Sequence, residues 1–124
     1  MMPKKSLGQN FLMHAQTAER MVQEAGVTSS DTVLEIGPGT GMLTRVLLSR
    51  VKNVVAVEAD DVLIPVLTDT FEKEIAEGRL QLLHEDIRTF NPESIKGPYK
   101  LIANIPYYIT GEIIRLFLTA LHPP

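Results

Sequence analysis

The stretch "TVLEIGPGTGMLTRVLL", residues 32–48, decides the fold. Its opening "TVLEI" (32–36) is an apolar run short enough for a buried strand. Gly37, Gly39 and Gly41 follow at alternate positions and make a turn. The next residues, "GMLTRVLLSRV" (41–51), carry apolar side chains at helical spacing, with Thr40 placed as an N-cap. A strand that enters a helix through a glycine turn is the first half of a parallel α/β unit.

The same alternation continues outward. Upstream, "HAQTAERMVQEAG" (14–26) puts Ala18, Met21, Val22 and Ala25 on one helical face, and Gly26 ends the helix. Downstream, "VVAVE" (54–58) predicts a second strand. Residues 61–76 predict one helix, with Leu63, Val66, Leu67, Phe71 and Ile75 inward and Pro65 in its first turn. "LQLLH" (80–84) and "KLIAN" (100–104) predict the third and fourth strands, and 110–121 a last helix that is apolar almost all round. No repeat, linker or low-complexity tract interrupts the pattern. The expectation is an α/β fold with a parallel sheet of about four strands and helices on both faces.

Composition narrows the function. The chain has 124 residues, 44% hydrophobic and 22% charged, which fits one domain with one core. Its formal net charge of −3 argues against a surface that binds nucleic acid all over. Residues 1–18 carry Lys4 and Lys5 and no acid, so a small basic arm stands at that end. There is no cysteine, hence no disulfide and no thiolate metal site. His14, His84 and His122 show no ligand spacing, and no metal is expected. No apolar run approaches the roughly 18 residues of a membrane span. A cytoplasmic location is the expectation.

Ligands of parallel α/β sheets bind beyond the carboxyl ends of the strands. The positions to inspect are therefore those after Ile36, at Glu58, after Glu85 and after Ala103. The glycine turn is G-x-G-x-G; a dinucleotide fingerprint would need glycine at position 42, where Met42 stands. A loop of this form suits S-adenosylmethionine, which has no pyrophosphate to seat. Glu58 lies 21 positions after Gly37, the distance at which an acid accepts the two hydroxyls of a ribose. A carboxylate there repels a 2′-phosphate, which disfavours NADP. Asp86, or its neighbour Glu85, could accept the amine of the cofactor's adenine; Asp86 could equally cap a turn. After the fourth strand comes "NIPYYIT" (104–110). The side-chain oxygen of Asn104 and a backbone carbonyl fixed by Pro106 can accept both N–H bonds of a nucleobase amine. Tyr107 offers a face on which a flipped base stacks. "KSLGQNFL" (5–12) could close over a ligand as a lid. The bland alternatives are an ordinary turn, a solvated boundary acid and boundary packing, the last preferred for Tyr108.

Taken together, "KSLGQNFL", "EIGPGTGMLT", "VVAVEAD", "HEDIRTF" and "NIPYYIT" occur in the order found in ribosomal RNA adenine dimethyltransferases of the KsgA/RsmA type, and the chain resembles that family from Pro3 to about Leu121. The resemblance implies a Rossmann-like S-adenosylmethionine-dependent methyltransferase fold. It implies dimethylation of two adjacent adenosines near the 3′ end of small-subunit rRNA, late in ribosome assembly. It assigns cofactor contacts to Asn10, Leu12, Gly37, Gly39, Gly41, Glu58, Asp86 and Asn104, and the target-base clamp to Asn104, Pro106 and Tyr107. The partner implied is small-subunit rRNA or a pre-ribosomal particle. Macrolide-resistance methyltransferases of large-subunit RNA share much of the pattern, and a non-catalytic RNA-binding or transcription factor of the same fold is a further alternative. Family members are roughly twice as long, so residues 1–124 are expected to be the N-terminal, cofactor-binding part, without the later strands and the helical domain. Helix 110–121 would then lack neighbours, and self-association through its apolar surface is expected.

Overall fold

A computed structural model describes residues 14–103. Its centre is a four-stranded, wholly parallel sheet in the order β3-β2-β1-β4. The strands are β1 (Thr32–Ile36), β2 (Asn53–Glu58), β3 (Leu80–His84) and β4 (Lys100–Ala103). Each coincides with a predicted strand to within a residue; position 104 lies outside the described residues.

Alternate side chains of the strands feed two separate cores. On one face Val33, Val54, Ala56, Leu80 and Ile102 meet the helices α1 (Ala15–Glu24), α2 (Met42–Arg50) and α3 (Leu63–Thr70). Ala18 and Val22 of α1 and Leu43 and Leu47 of α2 are fully buried there. On the other face Leu34, Ile36, Val55 and Val57 are covered by Ile87, Phe90, Ile95 and Tyr99. That cover comes from the connection between β3 and β4, which contains two short 3-10 turns. Chirality explains the division. The chain steps from β1 to β2 to β3 in one direction, so right-handed crossovers put α2 and α3 on the same side. It then returns past β1 to β4, and the same handedness carries that connection across the opposite face. The predicted helix over 110–121 lies outside the described residues.

Three local expectations change. Thr40 is not the N-cap of α2; Gly41 occupies that position with φ 96° and no side-chain cap. The helix predicted over 61–76 is broken at Phe71 (φ −112°, ψ 28°), giving α3 and the short α4 (Glu72–Ala76). Val66, read as inward, is 51% exposed. Leu67 and Phe71 supply the burial on that side instead, each only 1% exposed.

Candidate functional site

The strand order creates a switch point. The chain leaves β1 toward β2 on one side and comes back to β4 on the other, so a crevice opens at the carboxyl end of β1. Ile36, the last residue of β1, pairs with Val57 on β2 and Ala103 on β4. The glycine turn therefore rises between the ends of the second and fourth strands.

Backbone hydrogen bonds shape this turn. Gly37 N–H donates to the Val57 carbonyl at 3.0 Å, so the chain stays tied to β2 as it leaves the sheet. Gly41 N–H donates to the Pro38 carbonyl at 2.9 Å. Gly39, with φ 60°, has open space where a side chain would stand; the nearest atom is the Gly37 carbonyl oxygen at 4.0 Å. That is a backbone bare to a ligand. Gly41 is different. A Cβ there would lie 2.7 Å from Phe71 Cε2, so packing from within by itself requires a glycine at this position. Arg45 lies on the same ring, its guanidinium carbon 5.2 Å from the centroid.

Glu58 ends β2 and is 4% exposed. Its Oε1 accepts from Gly39 N–H at 3.2 Å and its Oε2 from Asp60 N–H at 3.0 Å. One carboxylate thus joins the glycine turn to the start of α3. Burial raises its pKa, while the amides of Asp60 and Gly39 pull it down and the Asp60 carboxylate opposes them. A carboxylate has about four lone-pair sites, so with the amides of Asp60, Gly39 and Ala59 on Glu58 acceptor capacity is still left for a ribose hydroxyl.

Asp86 takes the capping role that its position allows. Its Oδ1 accepts from Arg88 N–H at 2.9 Å, and its Oδ2 meets Arg88 Nη2 at 2.6 Å. Arg88 holds this carboxyl below its usual range. Glu85 is exposed, and its N–H donates to the Glu58 carbonyl at 3.1 Å. Asn10, Leu12, Asn104, Pro106 and Tyr107 lie outside the described residues.

Two acids escaped the sequence reading. Asp60 is 5% exposed; its Oδ1 accepts from Val62 N–H at 2.8 Å and its N–H supports Glu58. Glu35 is fully buried on β1, between Ala56 of β2 and Ile102 of β4. Its Oε1 accepts from Thr44 Oγ1 of α2 at 2.5 Å, and its Oε2 has no partner among the described residues. Burial pushes its pKa up to about 7, with the Thr44 hydrogen bond opposing and the negative Glu58 adding to the rise. The visible signal was a lone acid inside an otherwise apolar strand.

The site suits a cofactor with a ribose and a compact charged end: bare backbone at Gly39, spare acceptor sites on Glu58, and an unsatisfied carboxyl oxygen behind the turn. Among the described residues no group of three His, Cys, Asp or Glu side chains could hold a metal ion, and no helix is long and apolar enough to cross a membrane. A separate cleft of about 340 Å³ opens at the opposite end of the strands, lined by Thr32, Asn53, Arg79, Gln81 and Lys96 among others. None of the predicted site residues among the described ones lines it.

Comparison with known proteins agrees with this arrangement. A small-subunit ribosomal RNA methyltransferase A of Dehalococcoides mccartyi is 45% identical over 120 residues, covering 94% of this chain and 40% of that protein. The Clostridium botulinum protein of the same name is 42% identical over 118 residues, covering 93% and 42%. The chain thus spans about two fifths of the length of these relatives. Among solved structures, the 23S rRNA methyltransferase ErmE superposes with a TM-score of 0.79 at 31% identity, covering 92% of this chain and 45% of that one. A dimethyladenosine transferase from Plasmodium falciparum superposes with a TM-score of 0.73 at 28% identity, covering 90% and 39%. Residues 2–124 match the ribosomal RNA adenine dimethylase family, so nearly every residue of the sequence, the glycine turn and Glu58 included, falls within that match, and the chain belongs to this family.

Proposed function

We propose that residues 1–124 form the N-terminal, cofactor-binding part of an enzyme that dimethylates the N6 amines of adenosines near the 3′ end of small-subunit rRNA, acting in the cytoplasm on the RNA or a pre-ribosomal particle. The observation that carries the reading is the Glu58 carboxylate gripping Gly39 at the switch point, beside the end of β4. S-adenosylmethionine is the methyl donor of this family. When bound, it supplies an electrophilic methyl carbon on a positively charged sulfur.

The remaining work falls to the chain. Glu58 accepts from the ribose hydroxyls, Gly37 and Gly39 leave backbone open to the ligand, and Asp86 accepts from the adenine amine while sharing its charge with Arg88. Asn10 and Leu12 belong to a segment that covers the cofactor. Asn104 follows Ala103 in the sequence, and Ala103 pairs with Ile36 at the crevice. Its side-chain oxygen and a backbone carbonyl held by Pro106 accept the two N–H bonds of the target amine. The amine's lone pair is thereby freed from the ring, and Tyr107 stacks the base. The proton leaves after the nitrogen has become cationic, so no strong base is needed.

The identity to ErmE favours one competing substrate, large-subunit rRNA. The test is labelled-methyl transfer by the protein translated from its whole reading frame, offered small-subunit and large-subunit particles separately. Incorporation into small-subunit RNA is expected, and Asn104→Ala lowers it by about 100-fold or more. Incorporation into large-subunit RNA alone, or an Asn104→Ala rate equal to wild type, overturns the reading.

A further inference from the structure

Glu35 is a group that the mechanism above leaves unused. It is fully buried, in a strand whose neighbours at its level are Ala56 and Ile102. Thr44 bonds one oxygen at 2.5 Å, and the other oxygen has no partner among the described residues. A carboxylate in such a place is costly unless a positive charge comes near, so the group holds its proton well above the usual carboxylate range. Lys100 of β4 lies on the same face as Ile102, but its ammonium is engaged with the Asp31 carboxylate at 3.0 Å and the Gly26 carbonyl at 2.7 Å. The ionisable group that acts on it is Glu58, two residues beyond Ala56 and therefore on the same face of the sheet. Asp60 follows, bonded through its N–H to Glu58. Arg45, next to Thr44 on α2, lies instead on the Phe71 ring.

The ligand pair of a methyl-transfer reaction differs in charge. S-adenosylmethionine carries a sulfonium; its product, S-adenosylhomocysteine, carries a neutral thioether. We propose that Glu35 senses this difference: it gives up its proton when the sulfonium form is seated on the glycine turn and keeps it when the thioether form is seated. The proposal rests on the cofactor assignment above. It needs no contact between Glu35 and the ligand. Glu58 already reaches Glu35 through the field between neighbouring strands, and a positive charge seated on the glycine turn that begins two residues after Glu35 in sequence acts on it with opposite sign. The bond balance is simple. Binding the cation to the protonated form releases one proton to solvent, and exchange for the neutral product takes one back. Glu35 thereby favours donor over product near neutral pH.

The direction with pH follows. Below the value of about 7 for the free protein, seating the sulfonium must expel a proton, so affinity is weaker in acid. S-adenosylmethionine affinity rises roughly five- to tenfold from pH 6 to pH 8 and then levels. S-adenosylhomocysteine affinity lacks this rise.

The test is calorimetric titration of the 124-residue chain with each ligand across pH 6–8, in buffers of different ionisation enthalpy. The wild type is expected to release more protons with S-adenosylmethionine than with S-adenosylhomocysteine. Glu35→Gln is expected to abolish that contribution while still binding both. The ligands' own amines titrate alike in both proteins, so the difference between proteins isolates the carboxyl. Thr44→Val is the second variant; removing the hydrogen bond that holds the Glu35 pKa down shifts the midpoint of the affinity rise to higher pH. Equal proton release in wild type and Glu35→Gln, or an unmoved midpoint in Thr44→Val, overturns the proposal with the cofactor assignment intact. Failure of wild type to bind either ligand overturns both.

Discussion

At the scale of single residues, two of the site's features can be tested without ligand. Glu35 gives stability an unusual slope. In the unfolded chain its carboxyl ionises near 4.5; in the folded protein it holds the proton to about 7. Between those values the folded state binds more protons, so raising the pH favours unfolding. The contribution is absent below pH 4.5 and fully developed above 7, where it costs about 3 kcal/mol. Glu58 is raised too and bends the curve the same way, so the readout is the difference between proteins. Urea unfolding at pH 5 and pH 8 is expected to show wild type losing more stability than Glu35→Gln, and equal losses would contradict the burial. Gly41→Ala is the second test. The substitution forces a side chain into φ 96° and against the Phe71 ring at 2.7 Å. Unfolding free energy is expected to drop by about 2–4 kcal/mol. A loss under 0.5 kcal/mol would mean that the turn moves freely and that Phe71 does not set it.

At the scale of elements, most of the molecule was legible. The strands β1 and β3 run as their apolar patterns indicate, because a buried parallel strand is a short apolar block with little room for ambiguity. The helix over 61–76 was less so. Periodicity finds Leu67 and Phe71 on one face, but nothing in the spacing shows that Phe71 must break the helix to reach Gly41. The start of α3 was also hidden. Asp60 accepts from the N–H of Val62, the residue just before α3, and braces Glu58 through its own N–H. Asp60→Ala is expected to cost about 1 kcal/mol from the lost hydrogen bond to Val62 N–H. Because the backbone N–H of residue 60 survives the change, Glu58 keeps its partner and S-adenosylmethionine affinity should fall less than threefold. A larger loss of affinity would place Asp60 in the binding surface itself.

At the scale of the whole molecule, the site follows from topology. Right-handed crossovers send α2 and α3 to one face and the 87–99 connection to the other, which brings β4 beside β1. The glycine turn and Glu58 then meet at one crevice although they are 19 residues apart in their closest hydrogen-bonded pair. Spacing alone marked Gly37 and Glu58, since both stand at strand ends. It missed Glu35 because a charged residue in a buried strand looks like an interruption until its partner Thr44 on the next helix is seen. The packing of Phe71 on Gly41 also stayed hidden, because a partner 30 residues on leaves no local trace.

The most direct test of the cofactor crevice is calorimetric titration of the 124-residue chain with S-adenosylmethionine, with Glu58→Ala in the crevice and Lys96→Ala in the opposite cleft as a control. A saturable wild-type signal is predicted, weakened at least tenfold in Glu58→Ala by loss of charge-assisted hydrogen bonds and unchanged in Lys96→Ala. No saturable heat in wild type, or an affinity that Glu58→Ala leaves untouched while circular dichroism shows it folded, would contradict the assignment.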